Sequence, residues 1–259
     1  GTIRWASGAT TDITSGAGAI PGGITLTGQT LLTGSISNAT AVLTLASTDG
    51  LSVGNTVTGP GIPAGTVITG IPAGGTTVTI SQNATATNSG QSYAVWQNLV
   101  LDTNGNTVEL AGSIGNRAAT GGTREGLSGG LTKMGTGVLA LSGANTFTGG
   151  TTVIDGSILL KHSDALAYSS LNYTNVMSAT SLAFDSSVSS RIFTVGGLNA
   201  GSQQTSAINI PLVNNLGDAI TLRVGNGGQD SAFGGQASAV LSGAGGLTKI
   251  GSGTLNINA

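Results

Sequence analysis

The stretch Gly129-Gly130-Leu131-Thr132-Lys133-Met134-Gly135-Thr136-Gly137-Val138-Leu139-Ala140-Leu141-Ser142 returns, 116 residues on, as Gly245-Gly246-Leu247-Thr248-Lys249-Ile250-Gly251-Ser252-Gly253-Thr254-Leu255-Asn256-Ile257-Asn258. A duplication of this kind signals a repetitive architecture. Comparing the copies also separates two faces. Leu139 and Leu141 become Leu255 and Ile257, whereas Val138 and Ala140 become the polar Thr254 and Asn256. With a period of 2 in a strand, the first set points inward and the second outward. Leu131, Leu139, Leu141, Leu247, Leu255 and Ile257 are therefore the expected repeat core. Gly135, Gly137, Gly251 and Gly253 are expected at corners, where a positive φ or close backbone approach excludes a side chain.

Working outward, short apolar-alternating runs punctuated by Gly, Asn and Asp predict strands at Thr151 to Ile154, Ser157 to Leu160, Ser181 to Phe184, Arg191 to Val195, Ala207 to Ile210, Ala219 to Val224 and Ala239 to Leu241. Apolar residues rarely hold a 3.6-residue period beyond one turn. At most a short helical turn is expected, near Ser163 to Tyr168. The chain of 259 residues holds 45 Gly but only 7% charged and 3% aromatic residues, against about 25% charged in an average protein. Short strands with so few aromatics bury little area each, so they must stack on one another to build a continuous core. The expected fold is all-β, a right-handed parallel β-solenoid (β-helix). Coils of about 20 to 25 residues spaced about 4.8 Å apart would make a rod of roughly nine coils and about 40 Å. A pair of β-sandwiches is the alternative that this strand spacing allows.

One segment departs from the pattern. Gly59-Pro60-Gly61-Ile62-Pro63-Ala64-Gly65 and its echo Gly70-Ile71-Pro72-Ala73-Gly74 punctuate runs at Ala41 to Ala46, Thr56 to Thr58, Thr66 to Ile71 and Thr76 to Ser81. They predict a small antiparallel β domain, a compact meander, inserted into the rod. The expected organisation is 1–33 as first solenoid coils, 34–92 as the insert and 93–259 as solenoid, with repeats at 129–160 and 245–259.

Residues Gly130 to Val153, including Gly143-Ala144-Asn145-Thr146-Phe147-Thr148-Gly149-Gly150-Thr151-Thr152-Val153, closely resemble the autotransporter-associated β-strand repeat, or passenger-associated transport repeat. Gly1-Thr2-Ile3-Arg4-Trp5-Ala6-Ser7-Gly8 with Thr11-Asp12-Ile13, and Leu101-Asp102-Thr103-Asn104-Gly105-Asn106-Thr107-Val108, resemble the lead-in such passengers place before the repeat. Gly50-Leu51-Ser52-Val53-Gly54 and Gly61-Ile62-Pro63-Ala64-Gly65-Thr66 are similar to a small β module of bacterial surface and phage-tail proteins. Together these resemblances imply a secreted or outer-membrane-surface protein of a Gram-negative type of cell. They imply no particular ligand.

Chemistry is sparse. The ten acids are scattered singly, so a carbohydrate-active β-helix enzyme would need the fold to gather several of Asp102, Asp155, Asp185, Asp218 and Asp230 into one groove. His162, in Leu160-Lys161-His162-Ser163-Asp164, has no G-x-S-x-G elbow and reads as an exposed loop histidine. Gly225-Asn226-Gly227-Gly228-Gln229-Asp230 only partly imitates a calcium nonapeptide and reads as a turn. Lys133 and Lys249, at equivalent positions, read as snorkelling or edge-protecting residues. Trp5 and Trp96 could stack on sugars or plug the core. Asn145, Asn104 and Asn106 suit turns or side-chain ladders. No enzyme activity, cofactor or metal is expected.

A net charge of −2 without a basic cluster removes the footprint of nucleic-acid binding. No run approaches the roughly 18 apolar residues of a membrane span, and no leader opens the sequence at Gly1, so a mature or excised piece with no membrane insertion is expected. Without Cys there is no disulfide staple. The expected function is an extracellular, surface-displayed adhesin or stalk, with a host-cell or glycan surface ligand as candidate partner. Self-association, lateral or end to end, would instead make it a filament subunit, Thr254 and Asn256 of one molecule meeting Trp5 of the next.

Overall fold

The computed structural model describes residues 2–18, 24–26, 29–49, 51–63, 65–96, 98–116, 129–173, 182–200, 208–234 and 239–258. They form 24 strands and one 3-10 turn, Gly16–Gly18. The chain is all-β. Eight strands make a single parallel sheet in chain order: Thr2–Arg4, Leu99–Asp102, Leu131–Met134, Thr151–Val153, Leu166–Tyr173, Ile192–Ala200, Thr221–Val224 and Gly246–Lys249. At about 4.8 Å per step this stack is about 34 Å long. A second parallel sheet stacks Thr107–Leu110, Val138–Leu141, Ser157–Leu160 and Leu182–Phe184, and three further pairs, including Ser231–Gly234 on Leu255–Asn258, are also parallel. The pairing fits the stacked coils of a solenoid.

Register turns the alternating sequence into columns. In the second sheet Val108, Leu139, Ile158 and Leu182 lie one above another, as do Leu110, Leu141, Leu160 and Phe184. All eight are buried in one apolar cluster, each worth about 1.5–3 kcal/mol relative to exposure. Because a one-residue slip would send every such side chain to solvent, these columns also fix the register.

Residues Gln29 to Trp96 build something different. Six antiparallel strands run in the order Thr56–Thr58, Asn88–Trp96, Gln29–Ile36, Val42–Leu45, Thr77–Ile80 and Ile68–Gly70. The two outer strands then meet: Val57 N–H donates to Thr66 O and Ile68 N–H to Asn55 O, both at 2.9 Å. The sheet thereby nearly closes on itself, which hides its edges from strand addition. Its core, with Leu43, Val57, Ile68, Val78, Tyr93 and Val95, is a cluster separate from that of the parallel stack.

Three expectations need correction. The inserted sheet is not a meander, since its spatial order crosses its chain order, and its outer bounds extend beyond 34–92 because Gln29–Ile36 pairs with Asn88–Trp96. Ser163 to Ala165 form a turn that leads into the strand Leu166–Tyr173, so the region has no helical turn. Ala140 is buried too, although it alternates with the inward Leu139 and Leu141 and stands outside their apolar cluster. Ser181, Ala207 and Ala259 lie outside the described residues.

Candidate functional site: a repeat rung beneath a mounted barrel

The segment 131–160 spans two strands of each parallel sheet, and its non-strand residues do the joining. Asn145 is 4% exposed, and its amide substitutes for a strand. Ile114 N–H donates to Asn145 Oδ1 at 2.8 Å, and Asn145 Nδ2 donates to Ala165 O at 2.9 Å. One side chain therefore ties the rung before to the rung after. Phe147, 1% exposed, fills the interior beside this bridge. Gly149 follows because any Cβ there would meet the Gly129 and Gly130 backbone.

Lys133 is the least expected feature. Register places it in the inward column of Leu101, Val153, Tyr173 and Ala200, and it is fully buried. Its stem crosses the core, and its ammonium caps the corner, donating to Met134 O at 2.9 Å, Gly135 O at 2.6 Å and Asp155 O at 3.1 Å. Burial pushes its pKa down to about 8, against the pull of the Asp155 and Asp102 carboxylates. It neither snorkels to solvent nor guards an edge. Lys249 repeats the device on the exposed final strand, donating to Ile250 O at 2.5 Å and Gly251 O at 3.0 Å.

Residues 131–160 match the family model described as Passenger-associated-transport-repeat. This segment is a passenger-associated transport repeat. No curated protein and no solved structure matches the chain.

Above the passenger-associated transport repeat sits the barrel. The outward column Val100, Thr132, Thr152 and Asn172 would face solvent in a bare rod, yet all four are buried. Thr132 Oγ1 donates to Gly54 O at 2.6 Å, and Asn98 Nδ2 reaches both Thr56 Oγ1 at 2.7 Å and Thr132 Oγ1 at 3.1 Å. Gly54, at φ 89°, has a backbone conformation that a larger residue would adopt only under strain, and a Cβ there would crowd the Val100 and Thr132 methyl groups at 3.1 and 3.2 Å. Farther along, Gly65 lies over Asn172, which continues as an amide ladder to Asn199 at 2.9 Å. This seat was not legible from the sequence, since nothing local marks Thr132 or Thr152 as covered.

The other expected residues fall as follows. Leu131, Leu139 and Leu141 are fully buried, Leu255 is partly buried, and Leu247 and Ile257 are 36% and 44% exposed because no described strand covers the final rung. Gly135, Gly137 and Gly251 have φ of 71°, 104° and 69°, and a Cβ on Gly253 would run into Gln229 O. Thr254 and Asn256 are exposed. Trp5 is not available for end-to-end contact or sugar stacking: it is 5% exposed in the core, with Nε1 donating to Thr11 O at 2.9 Å. Trp96 Nε1 donates to Thr58 Oγ1 on the barrel. Asn104 and Asn106 clamp the first corner through Trp5 O and Ala6 O.

The scattered acids are used one by one. Asp102 pairs with Arg4, Asp218 with Arg191, Asp230 accepts from Thr254 N–H, and Asp185 from Ser187 N–H. His162 Nδ1 accepts from Asp164 N–H in an exposed turn. Among the described residues no group of three His, Asp or Glu is placed to hold a metal ion, and no helix is long and apolar enough to cross a membrane.

A small polar chain crosses the rungs beside the repeat. Glu109 accepts from Lys161 Nζ at 2.7 Å and Ser142 Oγ at 2.5 Å, and these bonds, Lys161 first, hold its carboxyl below the usual range. Exposed pairs of this kind contribute little, so Glu109→Gln is expected to change unfolding free energy by less than about 1 kcal/mol in urea titration. A larger loss would mean that the chain acts as a network rather than as a solvent-screened pair.

Proposed function

We propose that the chain is a structural segment of an exported passenger, a right-handed β-solenoid of two parts, residues 1–28 and 97–259 forming the rod and 29–96 an inserted barrel. The observation that carries this reading is the passenger-associated transport repeat at 131–160, built into the interior of one continuous parallel stack. The right hand follows from the general preference of parallel crossovers. A repeat of this family implies a secreted or outer-membrane-surface location in a Gram-negative type of cell.

The role is mechanical and not catalytic. Backbone ladders join every rung to the next, Asn145 and Lys133 lock the repeat across rungs, and hydrogen bonds at Gly54 and Asn98 hold the barrel against the rod. Such a body suits a stalk that presents the barrel to a surface, an adhesin-like arrangement.

Labelling of intact cells with a membrane-impermeant amine reagent tests the location. Exposed Lys249 should be modified without lysis while buried Lys133 is spared and a cytoplasmic marker stays unlabelled. Modification of Lys249 only after lysis would overturn the display reading.

A further inference from the structure

Away from its seat, the barrel carries an open groove of about 440 Å³ between the start of Val42–Leu45 and the bend where Gln29–Ile36 meets Asn88–Trp96. That volume lies within the roughly 300–1,000 Å³ of small-ligand pockets. The pairing register slips between Gly34 and Ile36, a bulge that re-aims Ser35.

The lining is chemically uniform. Hydroxyls come from Ser35, Ser37, Thr40, Thr44, Thr87 and Ser89, an amide from Asn88, and no charged side chain contributes. Several hydroxyls are fixed by the backbone yet keep free capacity. Thr87 Oγ1 accepts from Asn38 N–H at 2.9 Å, which leaves its O–H to donate. Thr40 Oγ1 donates to Ser37 O at 2.7 Å, which leaves its lone pairs to accept. Ser35 Oγ accepts from Gly90 N–H at 3.1 Å and donates to Ser89 Oγ at 3.3 Å, which leaves it one lone pair to accept. Among these polar groups Val42 stands 50% exposed, an apolar patch one side chain wide.

We propose that this groove binds a neutral oligosaccharide, whose hydroxyls pair with the fixed Thr40, Thr87 and Ser35 hydroxyls while the C–H face of one ring rests on Val42. The lining brings no cation to neutralise an anion and no carboxylate to neutralise a cation, so its hydrogen-bonding groups suit a neutral partner. An extended peptide would need a free strand edge, and here both neighbours of Gln29–Ile36 are already paired. A shallow, open site without an aromatic platform binds weakly, with dissociation constants of about 0.1–1 mM.

The test is saturation-transfer NMR and calorimetry on the full chain with maltopentaose, cellopentaose, chitopentaose, xylopentaose and mannopentaose, and tetragalacturonate as the acidic comparison. At least one neutral sugar should bind, and Val42→Asp should weaken it at least fivefold. Leu31→Asp, 63% exposed on the same barrel but outside the groove, should not. If Val42→Asp fails to fold, Thr87→Val, which removes the free O–H, takes its place and should weaken binding at least threefold. Absence of binding by every neutral sugar, preference for tetragalacturonate, or full affinity in the folded groove variant would overturn the proposal. Those failures leave the display reading standing, because that reading rests on the rod and is tested by surface labelling.

Discussion

Asn145→Ala is expected to cost about 3 kcal/mol of stability, more than any single exposed ion pair in the chain. The side chain is buried and makes two hydrogen bonds to different rungs, to Ile114 N–H and Ala165 O. Truncation leaves both backbone groups without a partner, and each buried orphan costs about 1–3 kcal/mol. Urea unfolding followed by Trp5 fluorescence in a Trp96→Phe background reads the rod alone, since Trp5 belongs to its core and Trp96 to the barrel. Asn145→Asp sharpens the test. The introduced carboxylate can still accept from Ile114 N–H but faces Ala165 O with a negative charge, so burial and repulsion raise its pKa in the fold. The folded state then binds a proton before the unfolded chain does, so stability should recover as pH falls through the raised pKa and be fully regained once pH reaches the ordinary carboxylate range, the neutral acid donating to Ala165 O. A loss under about 1 kcal/mol for Asn145→Ala, or no recovery for Asn145→Asp in acid relative to the wild type, would show that water replaces the bridge.

How much of this was legible depends on whether a feature is local. Leu139, Leu141, Ile158 and Leu160 reveal their inward face through period 2, and the glycines at 135 and 137 mark a corner because few other residues accept their φ. The strands Thr151–Val153 and Ser157–Leu160 lie where alternation and turn residues put them. By contrast, Asn88–Trp96 opens with Asn-Ser-Gly-Gln-Ser, a composition typical of a loop, and becomes a strand only because Gln29–Ile36 lies alongside. Tertiary pairing overrides propensity there. Barrel closure joins the first and last strands in space, and the barrel seat rests on Thr132 to Gly54, a pair 78 residues apart that no sequence window contains. Trp5 reads the same in a core or on a surface. Only its neighbours decide.

Position 133 sets the local and the tertiary readings against each other. A lysine in an alternating strand ordinarily marks the solvent face, yet register sends Lys133 into the column of Leu101 and Val153. Removing it should be harmful all the same: Lys133→Met keeps the apolar stem but takes the donor from Gly135 O and Asp155 O, at an expected cost of about 2–3 kcal/mol near pH 7. Lys249→Met takes the donor from Ile250 O and Gly251 O, the counterparts of Met134 O and Gly135 O, on an exposed strand where water can reach the carbonyls, and should cost less than about 1 kcal/mol. The pH dependence distinguishes a buried ammonium from a mere packing effect. In the fold Lys133 loses its proton near pH 8, whereas the unfolded chain keeps it to about 10.5. Between those values the unfolded state holds more protons, so wild-type stability gains up to about 1.4 kcal/mol per pH unit from this residue. The gap between wild type and Lys133→Met should therefore widen from pH 8 to 10.5 and stay level from pH 6 to 7.5, other titrations cancelling between the two proteins. A gap that stays flat throughout would mean that the ammonium is hydrated in the fold, and the corner would then be held by its glycines alone.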